Sequence, residues 1–170
     1  MNMKRFKFEE RISCLATRKV MFHSNNMNLD SSIQPYKAIN VFVPSKYRKG
    51  GKGSSAYDYG VFEVKSNIGK RYGYFGWNSS ISMGAALETV GYPFDKTKYE
   101  MWKCYGKVMQ VHKRYFSHSA DAVKSQSGSP LFSPKNKIVR GIHRGGSGVD
   151  NYAIKITADF SNLLYKRRNN

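Results

Sequence analysis

The stretch KSQSGSPLF, residues 124–132, sets Ser127 between Gln126 and Gly128, with Ser129 and Pro130 just behind. Small residues on both sides of one hydroxyl let the backbone pass close to another chain and let N–H groups converge on one point. A serine hydroxyl becomes a nucleophile only when a base takes its proton and donors stabilise the oxyanion that forms. The G-x-S-x-G elbow of α/β-hydrolases is excluded, because Ser125 and Ser129 fill both glycine positions. Taken alone, the run also fits a Ser/Gly-rich surface turn. Its surroundings decide.

The chain has 170 residues, the size of one domain. Forty per cent apolar residues, 12 Tyr, 10 Phe and 15 Gly point to a globular protein rich in strands and turns. No run approaches the roughly 18 apolar residues of a membrane span. Lys and Arg number 29 against 11 Asp and Glu, a formal charge of +18. That excess favours anionic partners: nucleic acid, acidic glycans, anionic lipid or acidic peptides. The basic clusters at Lys46-Tyr47-Arg48-Lys49 with Lys52, and at Lys166-Arg167-Arg168, read as solvated segments. Cys14 and Cys104 read as free thiols, and without metal-ligand spacing neither a metal nor a cofactor is expected. The N-terminal MNMKRFKFEERISC is basic and then acidic, with no apolar core, unlike a signal peptide. It implies a chain that stays in the cell or one that starts part-way through a longer protein.

Short β-type segments recur between Gly, Pro, Asn and Ser clusters, the pattern of a sandwich or barrel. KAINVFVP (37–44) is apolar and β-branched. YGVFEVK (59–65) puts Phe62 and Val64 on one face, Val61 and Glu63 on the other. KIVRGIH (137–143) and NYAIKIT (151–157) read as paired strands joined by RGGSGVD. SKYRKGGKGSSA (45–56) and SNNMNLDSS (24–32) read as loops, and KRYGYFGW (70–77) as an aromatic strand packed on a barrel. One helix is expected, at the end: Thr157 suits the N-cap, Asp159 the first turn, and Lys166, Arg167 and Arg168 the last. Phe160, Leu163 and Leu164 fall at helical spacing.

Around Ser127 stand AYDYGVFEV (56–64), IGKRYGYFGW (68–77), VGYPFDKTKYEMWKCYGKV (90–108), VRGIHRGG (139–146) and NYAIKI (151–156). In this order, over about residues 37–164, the chain resembles the glutamyl-endopeptidase (V8-like) branch of the chymotrypsin-like serine proteases. The resemblance implies a mostly β fold: a chymotrypsin-like double β-barrel with an incomplete N-terminal barrel and a short C-terminal helix. It implies a single domain over 1–170, with lobe 1 about 1–75, lobe 2 about 80–156 and the helix about 158–167. The implied activity is serine-type endopeptidase. Ser127 matches the nucleophile, Asp58 the triad acid, and the backbone N–H groups of Ser125 and Ser127 the oxyanion hole. His143 matches the residue that contacts a substrate glutamate, and Ala122 stands where the family places a threonine for the same carboxylate. The implied partner is a peptide or protein with acidic residues, and the implied protein is a secreted monomer. Asp58 and Ser127 are expected across a cleft with an imidazole-sized gap between them, and the His143 ring is expected to point into that cleft.

Two departures matter. Ser125 stands where the family has a glycine, and a Cβ there resists backbone angles that glycine tolerates. The histidine is the larger one. Only His23 of the four histidines precedes Asp58, by 35 residues, against about 45 in the serine-protease triad. Its context, KVMFHSNN, resembles the strand and turn that follow the family's histidine, while Ser13-Cys14 resembles the H-C pair with serine in its place. His112 and His118 read as surface residues on the strand leading to Ser127. The reading is therefore an endopeptidase domain, lacking its first strands and impaired as written. Its alternatives are a non-catalytic basic module holding anionic polymers, and a nucleic-acid binder stacking bases on the aromatics of 70–77.

Overall fold

The computed structural model describes residues 4–5, 10–14, 19–24, 36–64, 73–96, 101–147 and 150–168. In chain order these form β1 (Lys4–Arg5), β2 (Glu10–Cys14), β3 (Lys19–Ser24), β4 (Tyr36–Phe42), helix α1 (Ser45–Lys49), a 3-10 turn (Ser54–Tyr57) and β5 (Val61–Val64). There follow β6 (Ala86–Gly91), β7 (Trp102–Val111), β8 (Tyr115–His118), β9 (Pro130–Phe132), β10 (Val139–Ser147), β11 (Asp150–Lys155) and helix α2 (Ala158–Arg168). The C-terminal half is a closed barrel in the order β7-β6-β9-β10-β11-β8, with β8 pairing back onto β7. β7 closes it by its length. Residues 102–107 pair with β6, while Val108, Gln110 and Val111 pair with His118, Ser117 and Phe116.

Gly106 sits where β7 passes from one partner to the other. A Cβ there would strike the backbone of Ala120, so the crossing requires glycine. Inside, Leu87, Cys104, Val108, Phe116, Ala120, Leu131 and Ala153 form one cluster. Each buried Leu or Phe in it contributes about 1.5–3 kcal/mol. The Cys104 thiol is free and donates to the Asp121 carbonyl over 2.6 Å. Burial pushes its pKa up to about 12. His118 is a correction: it is 1 % exposed, not a surface residue. β8 is hydrogen-bonded on both edges, to β7 and β11, so a segment of polar appearance lies in the barrel wall. His112 is exposed, as expected.

The N-terminal strands form a sheet in the order β2-β3-β4-β5, which does not close among the described residues. The expected strand at 37–44 is β4. The expected loop at 45–56 instead contains α1 and the 3-10 turn, α1 stopping at Gly50 with φ 67°. The expected loop at 24–32 lies outside the described residues apart from Ser24. The aromatic segment is also a correction. Among the described residues, 73–76 are not strand and Tyr74 is 85 % exposed. The segment does lie on the barrel: Trp77 forms an isolated bridge with Val139, the Gly76 carbonyl accepts the Val139 N–H, and the Phe75 ring lies 5.1 Å from that of Phe132. The linker joining β10 and β11 is shorter than RGGSGVD suggests, because β10 runs on to Ser147.

Helix α2 ties these parts together. Phe160 is buried and stacks on Tyr59 with centroids 4.0 Å apart. Trp77 Nε1 donates to Ser161 Oγ over 3.0 Å, and the Trp77 ring lies 5.1 Å from that of Tyr165. Asp159 receives Arg114 at 3.0 Å, and the same guanidinium lies 4.0 Å above the Tyr57 ring. The segment carrying Asp58 is thus flanked on both sides by residues that contact α2 or its partner Arg114.

Candidate active site

Ser127 lies in the loop between β8 and β9, and buried Gln126 pegs that loop down. Its side-chain Oε1 accepts the Val123 N–H at 2.7 Å, its own N–H donates to the Val123 carbonyl, and its carbonyl accepts the Ser129 N–H. β10 clamps the two residues that follow Ser127 through one residue. The Gly128 N–H donates to the His143 carbonyl, and the His143 N–H donates to the Ser129 carbonyl, each over 2.8 Å. Gly91 makes room for this arrangement, since a Cβ there would collide with Ser129 Oγ. The result is an exposed hydroxyl on a fixed loop.

Ser127 Oγ donates to the Arg144 carbonyl over 3.0 Å. The Arg144 side chain turns to Asp58, its Nε donating to Oδ2 over 3.2 Å. The Tyr47 phenol from α1 also bonds the Asp58 carboxylate, and that bond and charge raise the phenol's pKa. Asp58, Arg144, Gly145, Gly146 and Tyr152 line an open cleft of about 460 Å³. Asp58 and Ser127 therefore both meet Arg144, and among the described residues an arginine stands as partner to the carboxylate where an imidazole was expected. Sequence reasoning missed Arg144 and Tyr47. An arginine before two glycines, and a tyrosine inside a basic run, both look like surface.

His143 is on β10 and buried. It is 3 % exposed, and its Nδ1 lies 3.2 Å from Nε2 of His118. Burial lowers both pKa values to about 4, His143's charge adding to the effect on His118 and the Ala120 backbone partly offsetting it. Two neutral rings make one donor and one acceptor across this contact, whereas two cations would face each other with N–H groups only. Ala122 is half-buried in the Ser127 loop. Ser125 takes φ 72°, the left-handed region that glycine favours. Among the described hydrogen bonds, the N–H groups of Ser125 and Ser127 have no backbone acceptor. His23 is on β3, paired in register with Arg11; its side chain lies outside the description. Among the described residues no cluster of His, Cys, Asp and Glu could hold a metal, and no helix is long and apolar enough to cross a membrane.

A closed six-strand barrel, a second partial sheet and a C-terminal helix constitute the chymotrypsin-like protease fold. A solved Glu endopeptidase, in complex with MPD, matches 88 % of this chain and 72 % of its own at a TM-score of 0.75 and 25 % identity. The protease Anisep from Arthrobacter nicotinovorans matches the fold at a TM-score of 0.70 and 14 % identity, over 89 % of this chain and 75 % of its own. Within that class the chain is similar in sequence to glutamyl endopeptidases. The protein so called from Bacillus licheniformis is 35 % identical over 98 residues, 56 % of this chain and 30 % of the relative. Those from Staphylococcus epidermidis and Staphylococcus aureus are 36 % and 31 % identical over 44 % and 51 % of this chain, and 25 % and 26 % of their own lengths. The matched segment thus spans under a third of these curated relatives. No family model matches the chain.

Proposed function

We propose that the cleft beside Ser127 binds peptide chains as a serine endopeptidase does, and that hydrolysis there is impaired. The observation that carries this reading is the pair of bonds made by Arg144. Ser127 Oγ gives its hydrogen to a backbone carbonyl, which is no general base, and Asp58 is paired with a guanidinium that never gives up its proton. In this reading Ser127 is the nucleophile, Asp58 the orienting acid, and the N–H groups of Ser125 and Ser127 the oxyanion donors. His23 is the one candidate base preceding Asp58. His143, buried beneath the Ser127 loop that its backbone holds, and the small Ala122 set the floor of the pocket for an acidic side chain, and the chain acts as a monomer.

A fluorophosphonate probe tests the site. Slow labelling lost in Ser127→Ala supports it, and labelling indifferent to that change ends it. The charge of +18 and the exposed Lys46, Arg48 and Lys49 on α1 favour a second activity, the holding of anionic polymers. Its mark is affinity that falls steeply with salt.

A further inference from the structure

A second concavity, of about 250 Å³, opens at the far end of β9 from Ser127. Ser80, Ser82, Ser133, Lys135 and Arg140 give it three hydroxyls and two cations, and no carboxylate lines it. They come from three segments: the approach to β6, the β9–β10 turn and β10 itself. Its base is apolar, formed by Ile81, Ala85 and Leu87; the first two pack against the barrel core.

The frame is fixed before any ligand arrives. Arg140 Nη1 donates to the Ser80 carbonyl over 2.8 Å, which orients the guanidinium and uses one of its five donors. The Ala85 N–H donates to the Ser82 carbonyl over 3.2 Å, and the Ser133 N–H to the Ile138 carbonyl over 3.0 Å. Glu88, next along β6 from Leu87, is buried and accepts from Lys137 Nζ over 2.6 Å.

We propose that this groove is a binding site for a phosphate group, free or carried by a small phosphomonoester. Three hydroxyls and two cations from three segments lining one concavity suit a tetrahedral oxyanion, whereas a planar carboxylate with two oxygens would leave part of the set unused. The guanidinium fork and the lysine point charge are the two side-chain forms that phosphate takes best. An apolar base strengthens each charged hydrogen bond, and the net charge of +18 concentrates anions at the surface. The groove's volume of about 250 Å³ suits one small ligand rather than a run of polymer. Its occupation is independent of Ser127 and of peptide binding.

Calorimetry with inorganic phosphate and with glycerol phosphate, against glycerol and acetate, tests the site on the whole chain. Saturable one-to-one binding is expected, weakened about tenfold or more in Lys135→Gln and again in Arg140→Gln, and unchanged in Lys96→Gln, outside the groove. Glycerol phosphate binding more tightly than phosphate assigns the ester, and equal affinity assigns the free anion; both support the groove. Should Arg140→Gln lose its native circular dichroism, Lys135→Gln and Arg140→Lys carry the decision. Binding that never saturates, binding unchanged in Lys135→Gln, or an oligonucleotide bound while both small phosphates are not would overturn the proposal. Peptide cleavage is no part of this readout, so its failure leaves the reading of Ser127 untouched.

Discussion

The guanidinium of Arg144 reaches Asp58 across 3.2 Å, while the carbonyl of the same arginine takes the hydrogen of Ser127. One residue therefore engages both the carboxylate and the hydroxyl that the triad reading puts to work. The two bonds differ in kind. That to Ser127 is made by backbone that β10 fixes, and that to Asp58 by a side chain free to be replaced.

Arg144→Ala should accordingly change stability by less than about 1 kcal/mol, because the ion pair is 44 % and 36 % exposed and solvent screens it. The Ser127 hydrogen bond should survive, since its acceptor is the main chain. Urea midpoints that move by several times that amount would show that the pair holds the two sheets together.

The His118–His143 contact sets an acid limit. Both rings have folded pKa values lowered to about 4 from an ordinary 6.5. The unfolded chain therefore binds more protons than the folded one between those values, and stability rises with pH there. It is fully present above about pH 6.5 and is lost as pH falls towards 4. Melting temperatures should decline through that window, and imidazole nitrogen shifts should show both rings neutral at pH 5.5. A protonated His143 at that pH would mean that the ring is reached by solvent.

Much of this architecture was legible in the residues. The β-branched run at 37–44 became β4, and Thr157, Asp159 and Phe160 marked the helix that became α2. The order of segments around Ser127 pointed to the protease fold because fixed turns and glycines recur there at set intervals. What escaped was tertiary. Nothing local to His118 says that its strand is paired on both edges, and nothing local to Arg144 says that Asp58 waits 86 positions away. The five residues of α1 are too short to show a helical period. The aromatic run at 70–77 packs on the barrel through Phe75 and Trp77, but its described part is not a strand and Tyr74 faces water, because aromatic content signals a strand surface without fixing which ring is buried.

Ser125 holds a backbone angle that costs a non-glycine residue about 1–2 kcal/mol. Ser125→Gly should recover about 1 kcal/mol of this, the rest being offset by the greater freedom of glycine in the unfolded chain. Ser125→Val should lose stability, since a β-branched residue tolerates that region least. A denaturation series over the three proteins decides it, and a less stable Ser125→Gly would contradict the strain.

Gly106→Ala should be far more damaging than its one added methyl suggests. The new Cβ meets the Ala120 backbone at the barrel crossing, where no side chain can swing aside. A loss of about 3 kcal/mol or more is expected, or failure to fold. Gly60→Ala, where the nearest atoms are at 3.6 Å and 3.8 Å, should cost much less. Equal melting temperatures for the two variants would show that β7 and the 119–120 turn can separate at small cost.

Hydrolysis by this chain should stay at background. Ser127 is a protonated alcohol bonded to a carbonyl, and removing the function of a triad base costs about a millionfold in kcat. On the proposed reading the Ser125 and Ser127 N–H groups still serve as oxyanion donors, so some acceleration over water persists, too small for an ordinary peptide assay. His23 restores the reaction only if its ring comes within hydrogen-bond reach of Ser127 Oγ and Asp58. The assay compares the chain with His23→Ala and Ser127→Ala on a Glu-containing peptide. Equal background rates in all three agree with the impaired site. Strong turnover abolished by both changes would make His23 the base and this chain a working protease. Turnover lost in Ser127→Ala but kept in His23→Ala would assign the proton to a different group, and Arg144→Ala in the same assay would then report whether release of Asp58 speeds the reaction.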